Sequence, residues 1–189
     1  MESISNIGNI FYFDWELDLL HWFQSIHNSV LDFLVPKITF LGNAGWFWIV
    51  IILLLLILPY NRKMGVQGLI ALIMTFILCN LVLKPGLMRC RPCWLETDVN
   101  MLVNIPHDFS FPSGHSNASF TVATAIFTRN KKLGIPAIIL AAAIALSRLY
   151  LFVHWPTDVL AGTIIGICGG IISYFIVNLL YKKIDKKMA

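Results

Sequence analysis

Seven polar residues stand out because so much around them is apolar: Lys84, Arg91, Ser113, His115, Arg148, His154 and Asp158. Three cations in one place predict an anionic ligand, since Arg grips phosphate as a planar fork and Lys as a point charge. Pro112-Ser113-Gly114-His115 opens a helix. The free N–H groups and positive dipole end of such a helix suit an anion, and Gly114 lets the backbone come close. Two histidines in a cationic phosphate site suggest a nucleophile and a proton donor. His154 and Asp158 are four residues apart. At that spacing a carboxylate can bond one ring nitrogen, fix its tautomer and stabilise the ring when it becomes cationic.

Taken singly, each residue has a plainer reading. Lys84 or Arg91 alone is an interfacial anchor, Ser113 an N-cap, and His154-Trp155-Pro156 a helix-entry turn with an interfacial Trp. Taken together they resist that reading, because ionisable residues at membrane depth are rare and functional by default. Arg89 reads as a headgroup anchor rather than a second phosphate contact, and His21, His27 and His107 as surface residues.

The elements that carry these residues are apolar helices. The chain has 189 residues, of which 58% are hydrophobic and 13% charged, with a mean hydropathy of +0.76. A soluble domain is about 45–50% apolar and about 25% charged. The balance excludes a disordered chain, a basic nucleic-acid-binding domain and an ordinary soluble enzyme. At about 20 apolar residues per crossing, the expected fold is all-α, an integral membrane six-helix bundle. The crossings are expected at 30–41, 46–58, 64–83, 113–128, 133–147 and 159–181. Residues 1–27 form an amphipathic segment, lying at the membrane surface or packed on the bundle. The six-span domain is 28–189, with candidate active-site loops at 84–115 and 147–158. No basic n-region precedes an apolar run, so the first spans are expected to serve as the insertion signal.

Gly162, Gly166 and Gly170 recur every four residues, a small ridge suited to close helix packing within the bundle. Cys79 and Cys168 sit in apolar runs as core residues. Cys90 and Cys93 form a C-x-x-C that is either a disulfide or two free thiols, with no second ligand pair for zinc. Alternation of the spans sorts the loops into two sets. Nine of the fourteen Lys and Arg residues fall in one set, which the positive-inside rule places in the cytoplasm. The site then faces outward, and six crossings put both termini in the cytoplasm of a multi-pass cell-membrane protein.

Lys84, six residues, then Arg91-Pro92 resembles the first signature of the type-2 phosphatidic acid phosphatase superfamily. Pro112-Ser113-Gly114-His115 resembles the second. Ser147-Arg148, five residues, His154, three residues, Asp158 resembles the third. Each motif alone is weak; the three in this order are highly specific. The resemblance implies a metal-free lipid phosphatase without a cofactor. Carried over by position, His154 is the nucleophile, Asp158 orients it and His115 protonates the leaving oxygen. Lys84, Arg91, Arg148, Ser113 and the Gly114 amide hold the phosphoryl oxygens. The implied substrate is a membrane lipid phosphate, with undecaprenyl diphosphate first and phosphatidylglycerophosphate or phosphatidic acid next. Transfer to another acceptor and non-enzymatic lipid carriage are the competing functions. Nucleic acid is excluded as a partner, and oligomeric state is not legible.

Overall fold

The computed structural model describes residues 8–188; residues 1–7 of the expected N-terminal segment lie outside them, as does Ala189. Among the described residues the chain is helical, apart from one isolated bridge between Asn9 and Arg89. Helix α1 is Asp14–Ser25, α2 is Ser29–Phe40 and α3 is Trp46–Ile57. Helix α4 begins at Arg62–Phe76, widens into a π-helical stretch at Ile77–Leu83 and ends with Lys84–Leu87. A short α5, Pro92–Leu95, interrupts the long connection. Then follow α6, Gly114–Arg129, α7, Lys131–Tyr150, and α8, Pro156–Met188.

Local chemistry sets these boundaries. Asn28 caps α2 by accepting from the Val30 and Leu31 N–H groups, and Asn130 caps α7 through Lys132 and Leu133. Contrary to the sequence expectation, α4 does not stop at Lys84-Pro85. The π turn widens the hydrogen-bond ladder where Pro85 has no N–H to give, so the helix runs on to Leu87.

Helix α6 forms the centre, packed between α4, α7 and α8. Its inner face is small and polar: Ser116, Asn117, Ser119, Thr121 and Thr124 are all buried. The glycine ridge of α8 lies against it. A Cβ on Gly166 would stand 2.7 Å from the Asn117 carbonyl oxygen, and one on Gly162 2.5 Å from that of Ser113. Large apolar side chains instead face outward, among them Leu53, Ile73, Phe76, Ile139, Leu160 and Phe175. Polar inside and apolar outside is the arrangement expected of a bundle whose solvent is lipid. Three helical runs are long and apolar enough to cross a membrane: Pro59–Leu87, Lys131–Tyr150 and Pro156–Lys186.

Helices α2 and α3 meet at a bend of 44° around Asn43–Gly45 rather than reversing. Their contacts descend the bundle in order. Asp32 meets Tyr150, Thr39 meets Arg148, Asn43 meets His115, Trp48 meets Ser119, and Leu56 abuts Gly65. Together α2 and α3 are long and apolar enough for one broken crossing or a re-entrant loop, which with the three straight runs gives up to four candidate crossings among the described residues. The helices at the two ends of the described residues lie at opposite ends of the bundle. Helix α1 lies at the end of the bundle that holds Arg89 and Thr157, whereas Tyr181 of α8 packs beside Lys63 at the other.

Candidate active site

Four elements deliver the site to that first end of the bundle. The π turn at the close of α4 presents Lys84; the loop after it presents Arg91; α6 starts with Gly114 and His115; α7 ends with Arg148. The chain then reverses through Phe152, whose φ of 58° is held by complete burial of its ring, and delivers His154. Lys84, Arg91, Gly114, His115, Arg148 and His154 line one cavity of about 1170 Å³.

Nη1 of Arg91 lies 3.1 Å from Nε2 of His154 and 2.6 Å from the Val153 carbonyl oxygen. A guanidinium only donates, so Nε2 accepts and His154 carries its proton on Nδ1. That Nδ1 faces Oδ2 of Asp158 at 3.5 Å and Oγ of Ser110 at 3.4 Å. Ser110 in turn donates to Oδ2 of Asp158. The carboxylate therefore acts on the ring both directly and through a hydroxyl. Burial, then Arg91, Arg148 and Lys84, push the His154 imidazole well below its ordinary pKa, against a smaller opposing pull from Asp108. The ring is thus kept neutral, with its Nε2 lone pair in a cationic cavity.

Arg148 gives Nη1 to Thr39 Oγ1 at 2.5 Å, and its Nε has no partner among the described residues. Nε2 of His115 bonds Oδ1 of Asn43 at 2.9 Å. Gly42 lies so close to this ring that a Cβ there would stand 2.6 Å from its Cδ2. The α2–α3 bend thereby holds His115 in place.

Two expected residues take other places. Ser113 is buried beneath Gly114 and does not line the cavity. Its Oγ accepts from the Ser116 amide and hydroxyl, and its N–H bonds the Asp158 carbonyl. It caps α6, and Gly114 lines the cavity in its stead. Arg89, expected as a headgroup anchor, is buried and bonded to Asp158.

Sequence reasoning missed Asn43, Ser110 and Asp108. Asp108 bridges two of the cations, with Oδ2 2.5 Å from Lys84 Nζ and Oδ1 2.8 Å from Arg91 Nη2. Burial works against its charge, but Arg91 and Lys84 outweigh it and hold the carboxyl far below the usual range. Cys90 and Cys93 are buried free thiols. Burial pushes the Cys93 thiol up to about 11, so it stays protonated.

Residues 65–182 match the PAP2 superfamily. An undecaprenyl-diphosphatase of Sulfolobus acidocaldarius is 34% identical over 147 residues, covering 76% of this chain and 71% of the relative. A lipid A 4'-phosphatase of Bacteroides thetaiotaomicron is 31% identical over 187 residues, covering 93% of this chain and 82% of the relative. Among solved structures, Aquifex aeolicus LpxE aligns with a TM-score of 0.77 at 30% identity, over 86% of this chain and 96% of that one.

Proposed function

The chain belongs to the PAP2 superfamily and is a membrane lipid phosphatase, and from that premise we propose that it cleaves a polyprenyl diphosphate, undecaprenyl diphosphate first, through a phosphohistidine on His154. The observation that carries the mechanism is the contact from Arg91 Nη1 to His154 Nε2, which puts a neutral nucleophile in a cage of cations. In the first step the Nε2 lone pair attacks the terminal phosphorus. The bond from that phosphorus to the bridging oxygen breaks, and His115 gives the departing oxygen its proton. Water then attacks the phosphorus on Nε2 and yields its proton to His115. The P–N bond breaks, inorganic phosphate leaves and the ring regains its lone pair. Lys84, Arg91, Arg148 and the Gly114 amide hold the phosphoryl oxygens; phosphoryl transfer needs this charge stabilisation more than anything else.

The cavity supports a lipid. From the cationic end it continues between the bent α2–α3 crossing and α4, along Phe40, Ile49, Leu72, Ile73 and Phe76. Similarity to the Sulfolobus undecaprenyl-diphosphatase supports the isoprenoid reading. A lipid A phosphate is the second reading, favoured by the longer alignment to the Bacteroides lipid A 4'-phosphatase. Phosphatidylglycerophosphate and phosphatidic acid complete the candidate panel.

The basic residues Arg62, Lys63, Lys131, Lys132, Lys182 and Lys183 lie at the end away from the site. The positive-inside rule then puts the site at the extracytoplasmic face.

The test is phosphate release from these detergent-solubilised lipids, with His154→Ala and a soluble phosphomonoester alongside. Undecaprenyl diphosphate is expected to give the highest kcat/KM. A higher value for the soluble ester would overturn the lipid assignment, and undiminished release by His154→Ala would overturn the nucleophile.

A further inference from the structure

Behind the nucleophile lies a second charged cluster, buried and supplied in part by the N-terminal segment. Arg89 sits at its centre. Its Nη1 bonds Oδ1 of Asp158 at 2.6 Å and Oγ1 of Thr157 at 2.7 Å, and its Nη2 bonds Oε2 of Glu16 at 2.8 Å. Its Nε reaches the Phe11 carbonyl oxygen at 2.9 Å. Glu16, on α1, is wholly buried, as is Asp158. Both Glu16 oxygens are fully used. Oε1 accepts from the Thr157 amide at 3.0 Å and hydroxyl at 2.6 Å, and Oε2 also accepts from the Phe13 amide at 2.9 Å. Residue 9 zips onto this loop, its N–H to the Met88 carbonyl and its carbonyl to the Cys90 N–H.

We propose that Glu16 and Arg89 are positioning residues for the nucleophile, dividing one guanidinium between two carboxylates so that Asp158 stays fixed and charged against the His154 ring. The inference rests on the reading of His154 as nucleophile. A buried carboxylate left without its cation is strongly disfavoured. A buried Asp158 paired to Arg89 alone would have its charge spent on that cation. Glu16 draws half of the guanidinium away and leaves Oδ2 of Asp158 to Ser110, the Trp155 amide and His154. The charged and titratable groups around this pair are Arg89 from the loop, Glu16 from α1, and His154 itself. Beyond the ring stand Arg91, Lys84, Asp108, Arg148 and His115.

The experiment compares Arg89→Ala, Arg89→Lys, Glu16→Gln and Thr157→Val with wild type and His154→Ala in detergent. Vanadate binding counts intact sites, so kcat is expressed per site. ¹⁵N-histidine NMR reads the His154 tautomer, assigned against His154→Ala. Arg89→Ala is expected to lower kcat per site about a hundredfold and Glu16→Gln about tenfold, with KM within threefold and the Nδ1–H tautomer of His154 partly lost. Arg89→Lys is expected to recover most of both. Where Arg89→Ala yields no folded protein, Glu16→Gln and Thr157→Val decide. Unchanged kcat per site and an unchanged tautomer in those variants would overturn the inference while His154→Ala stays inactive. An active His154→Ala would instead overturn the reading beneath it.

Discussion

Asp108 ties Lys84 to Arg91, with one carboxylate oxygen on each cation. In the proposed mechanism an anionic substrate competes with this carboxylate for both cations. Half-exposed pairs of this kind are each worth up to about 1 kcal/mol. Asp108→Asn is therefore expected to lower KM and the vanadate inhibition constant roughly five- to thirtyfold, with kcat little changed. Initial-rate kinetics on one lipid in mixed micelles checks this. A raised KM would mean that Asp108 holds the cations in place rather than competing for them.

Arg91 does three jobs with one fork: it holds Asp108, the Val153 carbonyl and the His154 lone pair. A lysine at that position keeps the charge and loses the fork. Arg91→Lys is expected to cost on the order of a hundred- to a thousandfold in kcat, the range for removing one preorganised donor. A loss below tenfold would show that charge alone suffices there. His154→Ala should cost several orders of magnitude, as for other covalent nucleophiles, and should abolish any acid-labile phosphoprotein trapped from wild type.

The motifs were legible because residue type and spacing alone carry them: cations and histidines are conspicuous in an apolar chain. What surrounds them was not. Arg89 looks like an anchor until Glu16 is seen beside it, and those two are 73 residues apart with no periodicity linking them. Asp108 and Ser110 sit in a loop whose course follows only from tertiary contacts. Asn43 lies in the bend that the sequence presents as a hairpin turn. The direction of the Ser113 hydroxyl is likewise hidden, because motif order shows adjacency and not which way a side chain is turned.

The pH profile should follow from the burial of His154. In the proposed mechanism the nucleophile works as the neutral ring, and burial with Arg91, Arg148 and Lys84 makes protonation harder than in water. A lowered pKa keeps the ring neutral to lower pH, so no loss of kcat/KM is expected as pH falls through about 6.5, where a free imidazole titrates. The acid limb should appear below that value. The same depression makes the folded state bind fewer protons than the unfolded one, so stability is present above about 6.5 and declines as pH falls beneath it. Rates and thermal midpoints from pH 4.5 to 8 check both. An acid limb centred on 6.5 would place the critical ring in solvent.

Metal dependence tests the electrostatic argument. Three cations, Lys84, Arg91 and Arg148, line the cavity, and Asp108, the one carboxylate beside them among the described residues, is already paired to two of them. A divalent ion would have to enter against that positive field. Activity is therefore expected to survive EDTA unchanged, and vanadate, which adopts the five-coordinate geometry of the phosphoryl centre, is expected to inhibit competitively at micromolar to millimolar concentration. Loss of activity in EDTA that Mg²⁺ restores would show that the cations do not carry the charge by themselves. Vanadate-resistant turnover in the same preparation would count against the covalent intermediate.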